Sequence, residues 1–204
     1  MRVEVRNLKK VFGGRTVLYV PDLSMGEGIY VVRGPNGSGK TTFLKVIAGI
    51  VRPTEGEVWV LGGDPFKDGK IRRRIAFVGH RTGLIEDLNG YENATLFLCG
   101  LFRCPKMREF LRLAEDLGVG GLLKRPVRTL SRGERTKLSI SIAVAHGGEV
   151  LLLDEPFAPL DTESREVLAE TLTSLKGTVV ITAHGDIPPM GGSTITFPMS
   201  TSHP

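Results

Sequence analysis

A glycine-rich loop carries the strongest chemical signal in the sequence. Residues 34–41 satisfy the pattern G-x-x-x-x-G-K-[ST] at every fixed position. Backbone N–H groups of such a loop point inward and bind phosphate oxygens, and the helix that follows adds the positive end of its dipole. We expect Lys40 to reach the β- and γ-phosphates of a nucleoside triphosphate and Thr41 to place its hydroxyl on Mg²⁺. The candidate phosphate-binding residues are Gly34, Pro35, Asn36, Gly37, Ser38, Gly39, Lys40, Thr41 and Thr42.

Two adjacent carboxylates follow a continuous aliphatic run. Residues 150–153 are Val-Leu-Leu-Leu, which is typical of a buried strand, and Asp154 and Glu155 come directly after them. Ligands bind outside the carboxyl ends of the strands in open α/β sheets. We therefore expect Asp154 to hold Mg²⁺, usually through water, and Glu155 to act as the general base that polarises the attacking water. Together with the glycine-rich loop, this pair is typical of phosphate-binding ATPases.

The elements that must position these residues are visible in the hydrophobic pattern. The apolar run Gly28–Arg33 predicts a buried strand before the loop, and Phe43–Ile50 has helical spacing after it. Further strands are predicted at Arg2–Val5 and Thr178–Thr182. Residues 87–126 contain little strand signal and are a candidate separate helical lobe. The order of strands and helices predicts an α/β fold.

A third motif separates this sequence from other phosphate-loop proteins. Residues Leu130–Glu134 (LSRGE) head a predicted helix and resemble the LSGGQ signature of ABC ATPases. Phe157–Asp161 resembles the D-loop of that family, and His184 resembles its switch histidine, a further catalytic candidate. Phe12 lies where an aromatic side chain of the family stacks on adenine. The resemblance to ABC ATPases extends from Phe12 to His184.

This resemblance implies an architecture and a composite ATP site. The architecture is a P-loop NTPase core with a mixed sheet, a small antiparallel β subdomain and an inserted α-helical subdomain at about 87–126, within a single ABC ATPase domain over 1–204. Two such chains, as a homodimer or heterodimer, are expected to sandwich Mg²⁺-ATP. Lys40 of one chain would face Ser131 and Gly133 of the other, and Glu134 and Asp161 are further candidate nucleotide contacts. Closure would require ATP, and hydrolysis would let the pair open.

The sequence departs from the family pattern at two places. His80 stands at the position of the Q-loop glutamine, and an imidazole nitrogen suits Mg²⁺ less well than an amide oxygen. We expect His80, a candidate catalytic residue, to act through hydrogen bonds or to couple to the partner; a structural role remains an alternative. A histidine here also resembles the haem-exporter-type subunits. Arg132 and Glu134 replace the usual Gly and Gln, and Arg132 is expected in solvent or, alternatively, near the γ-phosphate.

The amino-acid composition limits the partners and the cellular compartment that we expect for this protein. Lys and Arg exceed Asp and Glu by 27 to 22, but only Arg72–Arg74 form a run, so we expect no nucleic-acid partner. No apolar run reaches the 18 or so residues that span a bilayer, and the N-terminus lacks the apolar core of a signal peptide. Cys99 and Cys104 are expected to be plain thiols in a reducing compartment. These features predict a cytoplasmic protein.

Two functions remain open at this point. The first is the ATP-hydrolysing subunit of an ABC transporter, which works with transmembrane permease subunits on separate chains and lies peripherally on the inner face of the membrane. Residues 53–57 and the loop around His80 would then border the groove that receives the permease. The alternative is a soluble ABC ATPase in DNA repair, translation or iron–sulfur assembly. The sequence shows neither the coiled-coil insertion of the DNA-repair type nor the duplicated domain of the translation factors.

Overall fold

The computed structural model describes residues 1–99 and 106–197. Its strands are β1 (Val3–Phe12), β2 (Arg15–Val20), β3 (Leu23–Met25), β4 (Gly28–Arg33), β5 (Glu55–Val60), β6 (Ile75–Val78), β7 (Val150–Asp154), β8 (Thr178–Ala183) and β9 (Ser193–Thr196). Its α-helices are α1 (Lys40–Ile47), α2 (Gly69–Arg72), α3 (Gly90–Leu98), α4 (Lys106–Asp116), α5 (Arg132–His146) and α6 (Thr162–Ser174). Short 3₁₀ turns lie at Gly120–Leu122 and Val127–Thr129.

The strands form two separate sheets, and this confirms the predicted α/β fold. One sheet has the order β6-β7-β8-β4-β9, and its pairings are all parallel, where the prediction gave a mixed core sheet. The antiparallel strands do not join it, because β1 pairs with β2, β3 and β5 in a sheet of their own. Gly13 and Gly14 join β1 to β2 in a two-residue turn with positive φ at both positions, which favours a tight hairpin.

The parallel sheet separates two hydrophobic cores. Along β7, Leu151 and Leu153 pack into the core that contains α4, α5 and α6, whereas Val150 and Leu152 pack into the core that contains α1 and the antiparallel sheet. This alternation follows from the period of two along a strand. Helices α1 and α5 therefore lie on opposite faces of the parallel sheet.

The region predicted to be helical contains helices. Within 87–126 the described residues form α3, α4 and one 3₁₀ turn, and a single bridge between Asn89 and Pro126 closes the segment. Helix α3 begins with a capping box, in which Asn89 accepts from the backbone of Glu92 and Glu92 accepts from the backbone of Asn89. Local sequence signals thus fix the start of this helix.

The expectation of plain thiols is wrong at Cys99, which is disulfide-bonded in the structure. Cys104 lies outside the described residues. Thiols were expected because the sequence has only two cysteines and because disulfides are rare in a reducing compartment. Neither the number of cysteines nor the compartment determines whether a particular cysteine forms a bond in the fold.

Candidate nucleotide-binding site

The phosphate loop connects β4 to α1, as predicted. Gly39 caps α1 with a φ of 92°, in the left-handed region. A Cβ atom at this position would lie 2.5 Å from the carbonyl oxygen of Val17, so the loop approaches β2 too closely for any side chain. Glycine at this position is therefore required by the fold.

Lys40 places a buried positive charge inside this loop. The residue is only 6% exposed, and its Nζ donates to the carbonyl oxygens of Gly34 (2.8 Å) and Pro35 (3.0 Å). Among the described residues, no carboxylate forms an ion pair with it. A buried charge requires a compensating partner. The loop thus offers an anion such as a phosphate both N–H donors and an unneutralised ammonium group.

Thr41 and Asp154 meet at the predicted metal position. The hydroxyl of Thr41 donates to Oδ2 of Asp154 at 2.8 Å, and the hydroxyl of Thr182 donates to Oδ1 at 2.7 Å. Asp154 is 8% exposed. One hydroxyl and one carboxylate fit Mg²⁺, which binds few protein oxygens and takes its other ligands from water and phosphates. No group of three or more His, Cys, Asp or Glu side chains that could hold a metal ion exists in the part of the chain that the structure describes.

Glu155 has an uncommon backbone conformation. Its φ is 52°, in the left-handed region that side chains other than glycine seldom adopt. Its backbone N–H donates to the hydroxyl of Thr182 at 2.9 Å. One threonine of β8 thus holds both Asp154 and Glu155, since the strand register sets Thr182 beside Asp154. Thr182 was not among the residues predicted from the sequence, and the available signal was a hydroxyl at the carboxyl end of a largely apolar strand, where ligands bind.

Removal of the Thr182 hydroxyl is expected to lower the rate of ATP turnover by more than the accompanying loss of folding stability would explain. In Thr182→Val, Asp154 loses a donor and the Glu155 N–H loses its acceptor. We expect turnover to fall about tenfold or more, and the free energy of unfolding to fall by about 1–3 kcal/mol. ATPase assays and urea denaturation measure the two effects.

Thr178 provides the matched control, because it is equally buried in the same strand and donates to the carbonyl oxygen of Gly26 at 2.6 Å, at the opposite end from the site. Thr178→Val should lose stability but keep turnover. Equal losses of turnover in the two variants would show that Thr182 has no role in the site.

His184 directly follows β8 and is exposed. The chain after it is held by Arg33, which donates to the carbonyl oxygen of Gly185 at 2.7 Å, and by Arg165, which donates to that of Asp186 at 2.9 Å. Because β4, β7 and β8 are parallel, His184 lies at the same sheet edge as the phosphate loop and Glu155.

Phe12 ends β1 and is 51% exposed, which suits an aromatic side chain that stacks on a base. The Nζ of Lys10 lies 4.7 Å from the centroid of its ring. This cation–π contact leaves Phe12 about half exposed.

The signature residues cap α5. Ser131 is the N-cap, and its hydroxyl accepts from the backbone N–H of Glu134 at 3.2 Å. The carboxylate of Glu134 in turn accepts from the backbone N–H of Ser131 at 2.6 Å, and this hydrogen bond is the main cause that lowers the pKa of Glu134. Glu134 therefore caps its own helix, and its role as a nucleotide contact stays a prediction.

Gly133 and Asp161 connect the signature to the predicted D-loop. A Cβ atom on Gly133 would lie 2.8 Å from the carbonyl oxygen of Pro159, so glycine lets the two segments pack. Asp161 accepts from Lys137 at 2.8 Å and caps α6 by accepting from the backbone N–H of Ser164 at 2.9 Å. The hydrogen bond from Lys137 is the largest cause that holds the pKa of Asp161 well below its usual range. Both carboxylate oxygens thus have partners within the chain.

His80 and Arg132 lie next to each other. His80 follows β6 and is exposed, and Nη2 of Arg132 lies 3.1 Å from its Nδ1 and 3.2 Å from its Nε2. Arg132 is exposed, as expected, and its side chain also contacts His80. Sequence spacing gave no sign of this contact, because 52 positions separate the two residues.

The fold and the glycine-rich loop at residues 34–41 define a P-loop nucleotide-binding cassette. Comparisons with known proteins identify the family within this class. Residues 21–158 match the family described as ABC transporter. The molybdate/tungstate import ATP-binding protein WtpC of Archaeoglobus fulgidus is 38% identical over 151 residues, which cover 74% of this chain and 63% of that protein. The tungstate uptake system ATP-binding protein TupC of Peptoclostridium acidaminophilum is 35% identical, over 90% of this chain and 87% of that protein. The chain belongs to the ABC transporter family.

Other similarities agree with this assignment. The sulfate/thiosulfate import ATP-binding protein CysA of Rhodopseudomonas palustris is 35% identical over 90% of this chain but only 55% of its own length, so this chain spans less than two thirds of some relatives. A dimeric ATP-binding cassette in a post-hydrolysis state, bound to ADP and Pi, matches with a TM-score of 0.79 and 30% identity over 90% of this chain and 88% of that one. No helix within 1–99 or 106–197 has the length and apolar character needed to cross a bilayer.

Proposed function

We propose that this chain binds Mg²⁺-ATP, hydrolyses it to ADP and phosphate, and thereby powers transport through membrane subunits on other chains. The observation that supports this best is the convergence of the phosphate loop, the Asp154–Glu155 pair and His184 at one edge of the parallel sheet. Lys40 would bind the β- and γ-phosphates, and Thr41 and Asp154 would hold the metal ion. Phe12 would stack on the adenine.

Each residue at this edge has a definite task in hydrolysis. Glu155 accepts a proton from the attacking water, whose oxygen bonds to the γ-phosphorus as the bond to the ADP oxygen breaks. Thr182 holds the backbone of Glu155 so that its carboxylate keeps one position. His184 donates a hydrogen bond to the γ-phosphate, and Lys40 offsets its charge. When bound, Mg²⁺ neutralises charge on the β- and γ-phosphate oxygens.

We also propose that two cassettes complete each other's sites. The Lys40 loop begins α1, and Ser131 caps α5 on the opposite face of the sheet. A nucleotide whose phosphates bind Lys40 would therefore leave the signature around Ser131 of the same chain free to bind a second nucleotide. Ser131 of a second cassette, at a helix N-terminus, suits the open side of the γ-phosphate. We retain one ABC ATPase domain over 1–204, with a helical subdomain at about 87–126, as part of this proposal.

An exposed apolar patch supports a partner in the membrane. Ile85, Tyr91, Leu96 and Phe97 are large, exposed and apolar, and the last three belong to α3. Phe97 also lines a cavity of about 280 Å³ between β6 and α5. Exposed apolar side chains grouped along one short helix are a candidate interaction site. We assign this patch to a permease segment, which would hold the chain on the cytoplasmic face of the membrane; the relatives named above are themselves called import or uptake ATP-binding proteins.

Copurification from detergent-solubilised membranes tests the transport role. Tagged chain is expected to retain a polytopic membrane protein, and Phe97→Asp is expected to release it while leaving ATPase activity unchanged. Ile50→Asp is the matched control, because Ile50 is comparably exposed in the turn that follows α1, outside the patch. Retention of ribosomes or iron–sulfur scaffold proteins in place of a membrane protein would contradict the proposal.

A further inference from the structure

Two arginines from other parts of the fold hold the turn that carries His184. Nη1 of Arg33 donates to the carbonyl oxygen of Gly185 at 2.7 Å, and Nη2 of Arg165 donates to that of Asp186 at 2.9 Å. Gly185 has a φ of 78°, in the left-handed region, and the chain bends at this residue. The two hydrogen bonds therefore fix the backbone directly after His184.

Arg33 connects this turn to the phosphate loop. It is the last residue of β4, immediately before the loop at residues 34–41. Its own backbone is held on both sides, since it lies beside Ala183 of β8 and Thr196 of β9, and its carbonyl oxygen accepts from the backbone N–H of Phe197 at 2.6 Å. A guanidinium on such a fixed base keeps the turn after β8 at a set distance from the loop.

Arg165 approaches the same turn from the helices. It belongs to the first turn of α6 (Thr162–Ser174). Neither Arg33 nor Arg165 forms an ion pair with a carboxylate of residues 1–99 or 106–197. Because both guanidinium groups bind backbone carbonyls, they determine the path of the chain after His184.

We propose that Arg33, together with Arg165, is a positioning residue that holds His184 in place for ATP hydrolysis. This inference rests on the proposed function, in which His184 donates a hydrogen bond to the γ-phosphate. Within the described part of the chain, no hydrogen bond holds the imidazole of His184, so its position depends on its backbone. A displacement of about 1 Å at a group that contacts the reacting atoms lowers the rate by up to about 10²-fold.

Replacement of Arg33 by Ala is expected to lower kcat about tenfold and to leave KM within about twofold, because the phosphate loop and Phe12 still bind ATP. Arg33→Met keeps most of the aliphatic stem but has no donor, so it should lose as much. Arg33→Lys can still donate to one carbonyl and should recover part of the rate. Single-turnover hydrolysis with enzyme in excess resolves the slow variants, and thermal unfolding identifies the variants that fold.

A double-mutant cycle separates positioning of His184 from a general structural role. In a His184→Ala background, Arg33→Ala or Arg165→Ala should cause no further loss of turnover, because the imidazole that they position is absent. Arg72→Ala is the matched control: Nη1 of Arg72 also donates to a backbone carbonyl, that of Pro65 at 2.8 Å. Arg72 precedes β6, at the sheet edge opposite the site, so its replacement should leave kcat unchanged.

Wild-type kcat in the Arg33→Met variant would overturn the inference, and so would an equal loss from Arg33→Ala with and without His184. The His184→Ala variant distinguishes this inference from the proposed function. If His184→Ala is slow while the Arg33 variants turn over normally, only the positioning role is overturned. If His184→Ala turns over like the wild type, the proposed role of His184 in hydrolysis is overturned as well.

Discussion

Replacement of Glu155 by Gln is expected to lower ATP turnover by about 10²- to 10⁴-fold, the range that a general base contributes. Glutamine has nearly the same shape, and the backbone hydrogen bond to Thr182 does not involve the side chain. The amide cannot accept a proton from water, however. Asp154 and Lys40 remain in place, so nucleotide binding should persist and the closed pair should accumulate.

Turnover is measured by phosphate release, binding by a fluorescent ATP analogue, and dimerisation by size-exclusion chromatography with ATP and Mg²⁺. Glu170→Gln is the matched control, because Glu170 is an exposed carboxylate on α6 away from the sheet edge. It should behave like the wild type. Turnover by Glu155→Gln within a few-fold of the wild type would remove Glu155 from the role of base.

Replacement of Lys40 by Ala is expected to weaken ATP binding by about 10²- to 10³-fold, since two charge-assisted hydrogen bonds to phosphate are lost. The buried ammonium is the charge that the loop offers to an anion, and its removal also leaves the carbonyl groups of Gly34 and Pro35 without their donor. Isothermal titration with ATP measures the loss. Lys45→Ala, on the same helix but outside the loop, is the control and should bind normally. Unchanged affinity in Lys40→Ala would contradict the assignment of the loop.

Local motifs allowed much of the site to be predicted from the sequence. The phosphate loop depends on consecutive residues, so its place between β4 and α1 followed directly from the pattern of glycines and the flanking hydrophobic runs. The capping role of Ser131 depends on a helix that starts one residue later. In both cases, the residues whose interactions determine the structure lie within a few positions of each other in the sequence.

Features that depend on long-range pairing were missed. Strand β1 was predicted only over Arg2–Val5 but extends to Phe12, because its second half gains hydrogen bonds from β2 and β5. The role of Thr182 depends on the register between β7 and β8, and the contact of Arg132 with His80 depends on how α5 packs beside β6. The residue pattern of a single segment does not show which distant residues will contact it in the fold.

The central claim is that each ATP is held by two chains, and a mixture of two inactive variants tests it most directly. Lys40→Ala lacks a working phosphate loop but keeps its signature, and Ser131→Arg lacks a working signature but keeps its loop. In a mixed pair, one of the two sites has both intact parts, so the mixture should regain ATPase activity that neither variant shows alone. If each site were formed by one chain alone, every site in the mixture would contain one inactive part. The activity of the mixture would then equal the sum of the activities of the separate variants, and this result would contradict the account.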